Sequence, residues 1–263
     1  MTASPGTALT DIRYEEDGHV GVLTIARPEV HNALRRRTYD ELEDLVRTTT
    51  ARVLVITGEG RSFCSGDDVR ELMGGGDPEK RPPRPAPRLT PAAGALLTSN
   101  VPVIAAVNGA AVGWGMELAL MADFRVAARR AKFGELFVKR GLCSDVAGIA
   151  RLAQLVGREK AAELLFTGEI IDAEEAGRIG LVGRVVDDEQ LLPTALELAG
   201  RIAANPPLAV GALKAGLREA LDPDWTDLGR WVSTRLGELF ATEDHREGVR
   251  SFLEKREPRY VGR

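Results

Sequence analysis

The amino-acid sequence predicts an α/β fold whose last part is helical. Three observations carry this: short β-branched runs that close in glycine turns, helical patterns between them, and a C-terminal third that reads as helix after helix. The chain has 263 residues, 44% of them hydrophobic, enough to bury a full core in one main domain with a smaller appendage. In order along the chain, Val20 to Ile25 reads as a strand, and Thr38-Tyr-Asp-Glu41 as a capping box that opens a helix with Leu42, Leu45 and Val46 on its apolar face. Val53 to Thr57 is a β-branched run stopped by Gly58, and Val101 to Val107 is a second buried strand closed by Asn108-Gly109. Gly74 to Pro91, rich in glycine and proline and carrying Lys80, Arg81, Arg84 and Arg88, predicts a mobile loop. From Arg158 on, helices are expected over Lys160 to Phe166, after an Asp172-Ala-Glu-Glu175 capping box, over Leu191 to Ala204 and Pro207 to Leu221, and in two further segments to Glu254.

Composition excludes several classes of function. Two cysteines, Cys64 and Cys143, and three scattered histidines make neither a disulfide framework nor a zinc site, so no metal is expected. Met1 to Thr10 has neither a basic start nor an apolar core, and no uncharged apolar stretch approaches the roughly 20 residues of a membrane span. A cytoplasmic protein without membrane partners is expected. The net charge of −4 is spread over residues of both signs, which argues against nucleic acid as a partner. There is no Gly-x-x-x-x-Gly-Lys-Ser/Thr sequence for a nucleoside triphosphate and no Gly-x-Ser-x-Gly elbow for a serine hydrolase.

Two glycine turns carry the chemical signal. The first, Gly58 to Asp68, follows one buried strand and contains Cys64-Ser-Gly66-Asp67-Asp68; the second, Asn108 to Glu117, follows the next and contains Gly113-Trp114-Gly115. Small-residue turns at strand ends leave backbone N–H groups pointing outward, and a helix starting near Gly113 adds the positive end of its dipole. Taken singly, each is more often only a tight turn. Glu117 lies one helical turn beyond Trp114 in an otherwise apolar helix, where a carboxylate is costly without a task; its plainer role is to complement the helix dipole.

These residues, with Arg27-Pro-Glu-Val-His-Asn-Ala-Leu34, Phe63-Cys-Ser-Gly-Asp-Asp68, Pro102 to Gly109, Ala122-Asp-Phe-Arg125 and Glu247 to Pro258, resemble the crotonase (enoyl-CoA hydratase/isomerase) family nearly end to end. The resemblance implies a ββα superhelix, an acyl-CoA-binding catalytic core over 1–200, a C-terminal helical oligomerisation region over 201–263, and a homotrimer or dimer of trimers. It implies stabilisation of a CoA-thioester enolate, with coenzyme A entering as part of the substrate and no separate cofactor. By position, the backbone N–H groups of Asp67 and Trp114 form the oxyanion hole. Both side chains depart from the small residues usual there. Ser65, Gly66, Asp68, Gly113, Phe137 and Leu142 fall where the substrate binds, and Arg27, the loop cations and Lys255 with Arg256 are candidates for the CoA phosphates, each of them by default a solvated charge.

The acid/base positions divide. Glu117 matches one hydratase glutamate; the other is replaced by Phe137, with Glu135 two residues earlier and on the same side if the segment is extended. Asp145, in Gly141-Leu-Cys-Ser-Asp145, stands where isomerases of the family place an aspartate, and as a bare residue it is also a plausible helix N-cap. Glu117 and Asp145 are therefore the expected catalytic pair, and both hydration of a 2-enoyl-CoA and double-bond isomerisation fit them. Thioester hydrolysis on the same fold, or CoA-ester binding without turnover, are the competing readings. Cys64 and Cys143 read as packing residues.

Overall fold

The computed structural model describes residues 9–72 and 88–263. The expected loop from Gly74 to Pro91, with Lys80, Arg81 and Arg84, therefore lies mostly outside the described residues. In chain order the elements are β1 (Ile12–Asp17), β2 (Val20–Ile25), α1 (Arg36–Thr48), β3 (Val53–Gly58), β4 (Ser62–Cys64), α2 (Val69–Leu72), α3 (Pro91–Thr98), β5 (Val103–Val107), β6 (Ala110–Val112), α4 (Trp114–Met121), β7 (Phe124–Ala128) and β8 (Lys132–Gly134). A 3₁₀ turn over Leu136–Arg140 follows, then α5 (Val146–Val156), α6 (Arg158–Thr167), β9 (Ile171–Asp172), α7 (Ala173–Arg178), β10 (Arg184–Val186), α8 (Leu191–Ala203), α9 (Pro207–Leu221), α10 (Trp225–Leu239) and α11 (Glu243–Glu254).

The strands form two sheets, one of six in the order β1-β2-β3-β5-β7-β10 and one of four in the order β4-β6-β8-β9. Within the first, only the β1–β2 pair is antiparallel, and Val55 pairs with Val22 on one side and Ile104 on the other. The alternation of side chains along a strand sorts the core into two layers. Val53, Val55, Ile104, Ala106, Val126 and Ala128 face Leu191, Ala195, Ala199 and Ala203 of α8. Leu54, Ile56, Val103, Ala105 and Val107 face the larger core with Phe63, Leu96, Met116 and Phe133. A strand covered on both faces needs a continuous apolar run, which is why β3 and β5 were readable from the sequence.

The chain steps from the first sheet to the second after β3 and again after β5. Two asparagines pin these steps. Asn32 Nδ2 donates to the carbonyls of Ser62 (2.7 Å) and Glu59 (2.9 Å), and Asn108 accepts from Gly58 N–H (3.1 Å) while donating to Gly60 and Ser62. A Cβ on Gly109 would lie 2.0 Å from the Arg61 carbonyl oxygen, so only glycine lets the two crossings touch. The ends of β4 and β6 are thereby held side by side.

Two expectations change. The first helix begins at Arg36 instead of behind Thr38: Thr38 sits at its third position and its hydroxyl accepts from the Arg35 N–H (3.2 Å). Glu41 instead turns outward from the helix to receive the N–H groups of Thr10, Asp11 and Ile12, fixing the start of β1. The boundary at 200 cuts α8, whose small residues belong to the core over the first sheet. Nor does the chain after it stand apart. Trp225 and Val232 of α10 join the main core, and α11 packs so closely on the 3₁₀ turn that a Cβ on Gly248 would lie 2.7 Å from Arg140 Cα. The Asp172 cap and the bounds of α9 agree with expectation. No helix among the described residues is long and apolar enough to cross a membrane.

Candidate active site

After β4, Leu34 N–H donates to the Gly66 carbonyl and Asp68 N–H to the Leu34 carbonyl, both at 2.8 Å. The N–H of Asp67, between them, has no partner among the described residues. After β6, Gly113 N–H is tied to the Gly134 carbonyl at 2.9 Å, and the N–H groups of Met116 and Glu117 bond back to the Gly113 carbonyl. Trp114, first residue of α4, is left with an unpartnered N–H as helix geometry requires. Gly66 and Gly113 hold φ values of +88° and +55°, a backbone region that excludes most L-residues, and a Cβ on Gly66 would meet the Val112 oxygen at 2.9 Å and the Trp114 nitrogen at 3.2 Å. The two glycines therefore bring the two donors to one narrow slot of about 40 Å³, lined also by Ser65, Phe137, Arg140 and Leu142. These donors suit an oxygen that gains negative charge.

The slot opens onto a chamber of about 310 Å³ whose walls include Tyr39, Asp67, Trp114, Phe137, Leu142, Asp145, Leu236 and Phe240. The large side chains at the two donor positions have work of their own. Tyr39 O–H donates to Asp67 at 2.5 Å, its ring meets the Trp114 indole edge to face at 4.7 Å, and the indole N–H donates to Asp145 at 3.2 Å. Burial raises the Asp67 carboxyl to about 6, against the lowering effect of the Tyr39 hydroxyl, with the charge of Asp145 adding to the rise.

Behind the chamber lie two more carboxyl groups. Glu117 is 0% exposed, Glu135 1% and Asp145 8%. Asp145 caps α5, accepting from Val146 N–H at 2.8 Å, as the N-cap reading expected, and its side chain also lines the chamber. Glu117 accepts from Gly148 N–H at 2.9 Å, and the Ser144 hydroxyl lies between Glu117 (3.2 Å) and Glu135, which it touches more closely. Burial raises all three carboxyls above their ordinary range: Glu117, where the charges of Glu135 and Asp145 add to it, Asp145, and Glu135, to about 8. Among the described residues no group of three or more His, Cys, Asp or Glu is arranged to hold a metal ion.

A family model described as enoyl-CoA hydratase/isomerase matches residues 15–263. The chain belongs to the enoyl-CoA hydratase/isomerase family. It is 39% identical over 268 residues to a crotonyl-CoA hydratase of Syntrophomonas wolfei, covering 97% of this chain and all of that one. It is 37% identical over 260 residues to a 1,2-epoxyphenylacetyl-CoA isomerase of Escherichia coli, covering 93% of this chain and 95% of that one. The crystal structure of an enoyl-CoA hydratase/isomerase from Pseudoalteromonas atlantica superposes with a TM-score of 0.86 at 29% identity, covering 96% of this chain and all of that one. The α/β crotonase fold expected from the sequence is thus the fold of the chain.

Within this family frame the structure sorts the expected site residues. Ser65, Gly66, Asp67, Gly113, Trp114, Phe137 and Leu142 meet at the slot, and Asp145 lines the chamber beside Asp67, Trp114, Phe137 and Leu142. Asp68 does not: its carboxylate pairs with Arg27 at 3.2 Å and receives Glu71 N–H at the start of α2. Arg27 is 9% exposed, and its guanidinium is spent on Asp68 and the Ala33 carbonyl, a structural role in place of phosphate contact. Lys255 is exposed at the end of α11, while Arg256 is tied to Glu247 and Glu254. Glu135 and Phe137 do not share a side, because the segment is a 3₁₀ turn, not a strand; Phe137 faces the slot and Glu135 turns inward to Ser144. Tyr39, Ser144, Leu236 and Phe240 escaped the sequence reading. Tyr39, Leu236 and Phe240 come from distant elements, and Ser144, though next to Asp145 in the chain, shows its two carboxyl partners only in the folded structure.

Proposed function

We propose that this protein shifts the double bond of an enoyl-CoA by a proton shuttle on Asp145, with the thioester oxygen held by the N–H groups of Asp67 and Trp114. The observation that carries this reading is that Asp145 is the one carboxyl of the deep three that lines the acyl chamber, while Glu117 and Glu135 are sealed behind it. With a 3-enoyl thioester oxygen in the slot, the Asp145 carboxylate removes a proton from C2. The dienolate that forms places its charge between the two N–H groups, each worth about 3 kcal/mol in a preorganised site. Asp145 then returns the proton at C4, giving the 2-enoyl thioester. Glu117, set behind the chamber wall, does not enter the exchange. The apolar walls, Phe137 among them, keep water away from the intermediate.

Hydration of a 2-enoyl-CoA is the second reading, favoured by the names of relatives such as the Syntrophomonas protein. It requires Glu117 to reach a water at the chamber wall. Coenzyme A is carried by the substrate, with exposed Lys255 as its phosphate contact. The exposed leucines of α9, Leu208, Leu213, Leu217 and Leu221, support a homotrimer or dimer of trimers. Two free cysteines accord with a cytoplasmic protein.

The test supplies 3-enoyl-CoA and 2-enoyl-CoA separately to the wild type, Asp145→Asn and Glu117→Gln. Double-bond migration that survives Asp145→Asn at the wild-type rate overturns the shuttle. Water addition alone, abolished by Glu117→Gln, establishes the hydratase. Release of free CoA identifies a hydrolase, and saturable binding with no turnover a binding protein.

A further inference from the structure

The Ser144 hydroxyl has one proton to donate and two carboxyl groups to satisfy, Glu117 Oε1 and Glu135 Oε2. Both contacts are hydrogen bonds only if one of the carboxyls is itself protonated and donates to the Ser144 oxygen. The other oxygens point to which one. Glu117 Oε2 receives the Gly148 N–H, whereas Glu135 Oε1 is buried with no hydrogen-bond partner among the described residues. A bare oxygen is tolerable on a neutral carboxyl and costly on a carboxylate. The pair also has no room for a reordered arrangement: a Cβ on Gly148 would lie 2.4 Å from Ser144 Oγ and 2.6 Å from Glu117 Oε1.

We infer that Glu135 is a positioning residue that keeps one proton on the Glu117–Glu135 pair, across the bridge that Ser144 makes between the two carboxyls. The inference builds on the proposed role of Asp145 as the base. The groups facing the pair are Glu117 from α4, Asp145 and Cys143 from the loop before α5, and, farther off across the slot, Asp67 from the turn after β4 and Arg140 from the 3₁₀ turn. Arg140 acts on Asp67 and Tyr260, and among the described residues no cation lowers the three deep carboxyls. Three carboxyls without a counter-charge do not ionise together. A proton held by the buried pair leaves the wall carboxyl free to accept one from carbon. At high pH the pair loses that proton, Ser144 turns its own toward the new carboxylate, and the added charge opposes enolate formation in the slot. Burial places this loss for Glu135 near 8.

The pH profile of kcat/KM reads this directly. The wild type is expected to show an acidic limb from Asp145 and an alkaline limb from the pair. Glu135→Gln, which keeps the shape and cannot ionise, is expected to retain the acidic limb and to lose the alkaline one or move it up by at least one pH unit. Ser144→Ala, the second variant should the first not fold, removes the donor that favours the ionised pair and moves the alkaline limb upward. An infrared difference spectrum of wild type minus Glu135→Gln at neutral pH is expected to show a protonated carboxyl band. An unchanged alkaline limb with no such band overturns the inference, as does Glu135→Gln losing all turnover while folded, since Glu135 would then exchange protons with substrate. The infrared band needs no turnover, so it stands or falls separately from the isomerase reading, which Asp145→Asn tests.

Discussion

The two halves of the site are built from different materials. The slot is backbone: two N–H groups placed by Gly66 and Gly113, indifferent to the side chains that follow them. The carboxyl cluster is side chain: Glu117, Glu135 and Asp145, buried and mutually repelling, held by Ser144, Gly148 and Trp114. The first half therefore tolerates an aspartate and a tryptophan at its donor positions, and it does not titrate. The second gains its chemistry from environment and is sensitive to pH and to each neighbour. Fixed dipoles can be inherited through side-chain change, whereas tuned charges are remade by it.

The sharpest break of this comparison is Asp145→Asn, expected to lower isomerisation by about 10²–10⁴-fold with the fold intact, read as kcat beside a circular dichroism melt. Gly66→Ala attacks the other half. Its Cβ meets backbone oxygen and nitrogen, and φ is +88°, so loss of one donor is expected to cost about 10²–10³ in kcat at every pH, without moving either limb of the profile. Trp114→Phe keeps the backbone donor and removes the indole N–H that stabilises ionised Asp145. The Asp145 carboxyl then rises, and the acidic limb is expected to move to higher pH by about one unit, the scale of one hydrogen bond to a charged group. A limb that stays in place would show that the indole does not tune the base.

Asp67 joins both halves, giving its N–H to the slot and its carboxyl to the chamber. Its folded value of about 6 lies above the ordinary aspartate value. A raised acid stabilises the fold below the unfolded value and loses that contribution as pH rises through the folded value, so the window runs from about 4 to about 6. Asp67→Asn is expected to raise Tm at pH 7 relative to wild type, with the gain disappearing by pH 4. The smallest effect is at the rim: Lys255→Ala is expected to raise KM for the CoA ester by no more than about fivefold, and less in high salt, as for an exposed charge contact.

Much of this was legible because it rests on local rules. Continuous β-branched runs marked β3 and β5, Gly66 and Gly113 marked the slot, and a carboxylate in an apolar helix marked Glu117. Less legible were residues whose partners are far away in the chain. Thr38 and Glu41 carry a capping signature, yet Glu41 serves β1 some thirty residues earlier, because its buried carboxylate finds three N–H groups there. Glu135 could be placed near Phe137 in sequence, but its direction depended on a 3₁₀ turn that α11 packs against.

By itself the sequence carried the family, through its ordered motifs, and an α/β core, through its apolar runs, and it marked the two glycine turns as candidate donors, since all of these are local patterns. Only the tertiary structure decided which of the deep carboxyls lines the chamber. Burial, hydrogen-bond supply and the distance between like charges are properties of packed neighbours, and Ser144, Gly148, Trp114 and Phe240 become neighbours of one site only once the chain has folded.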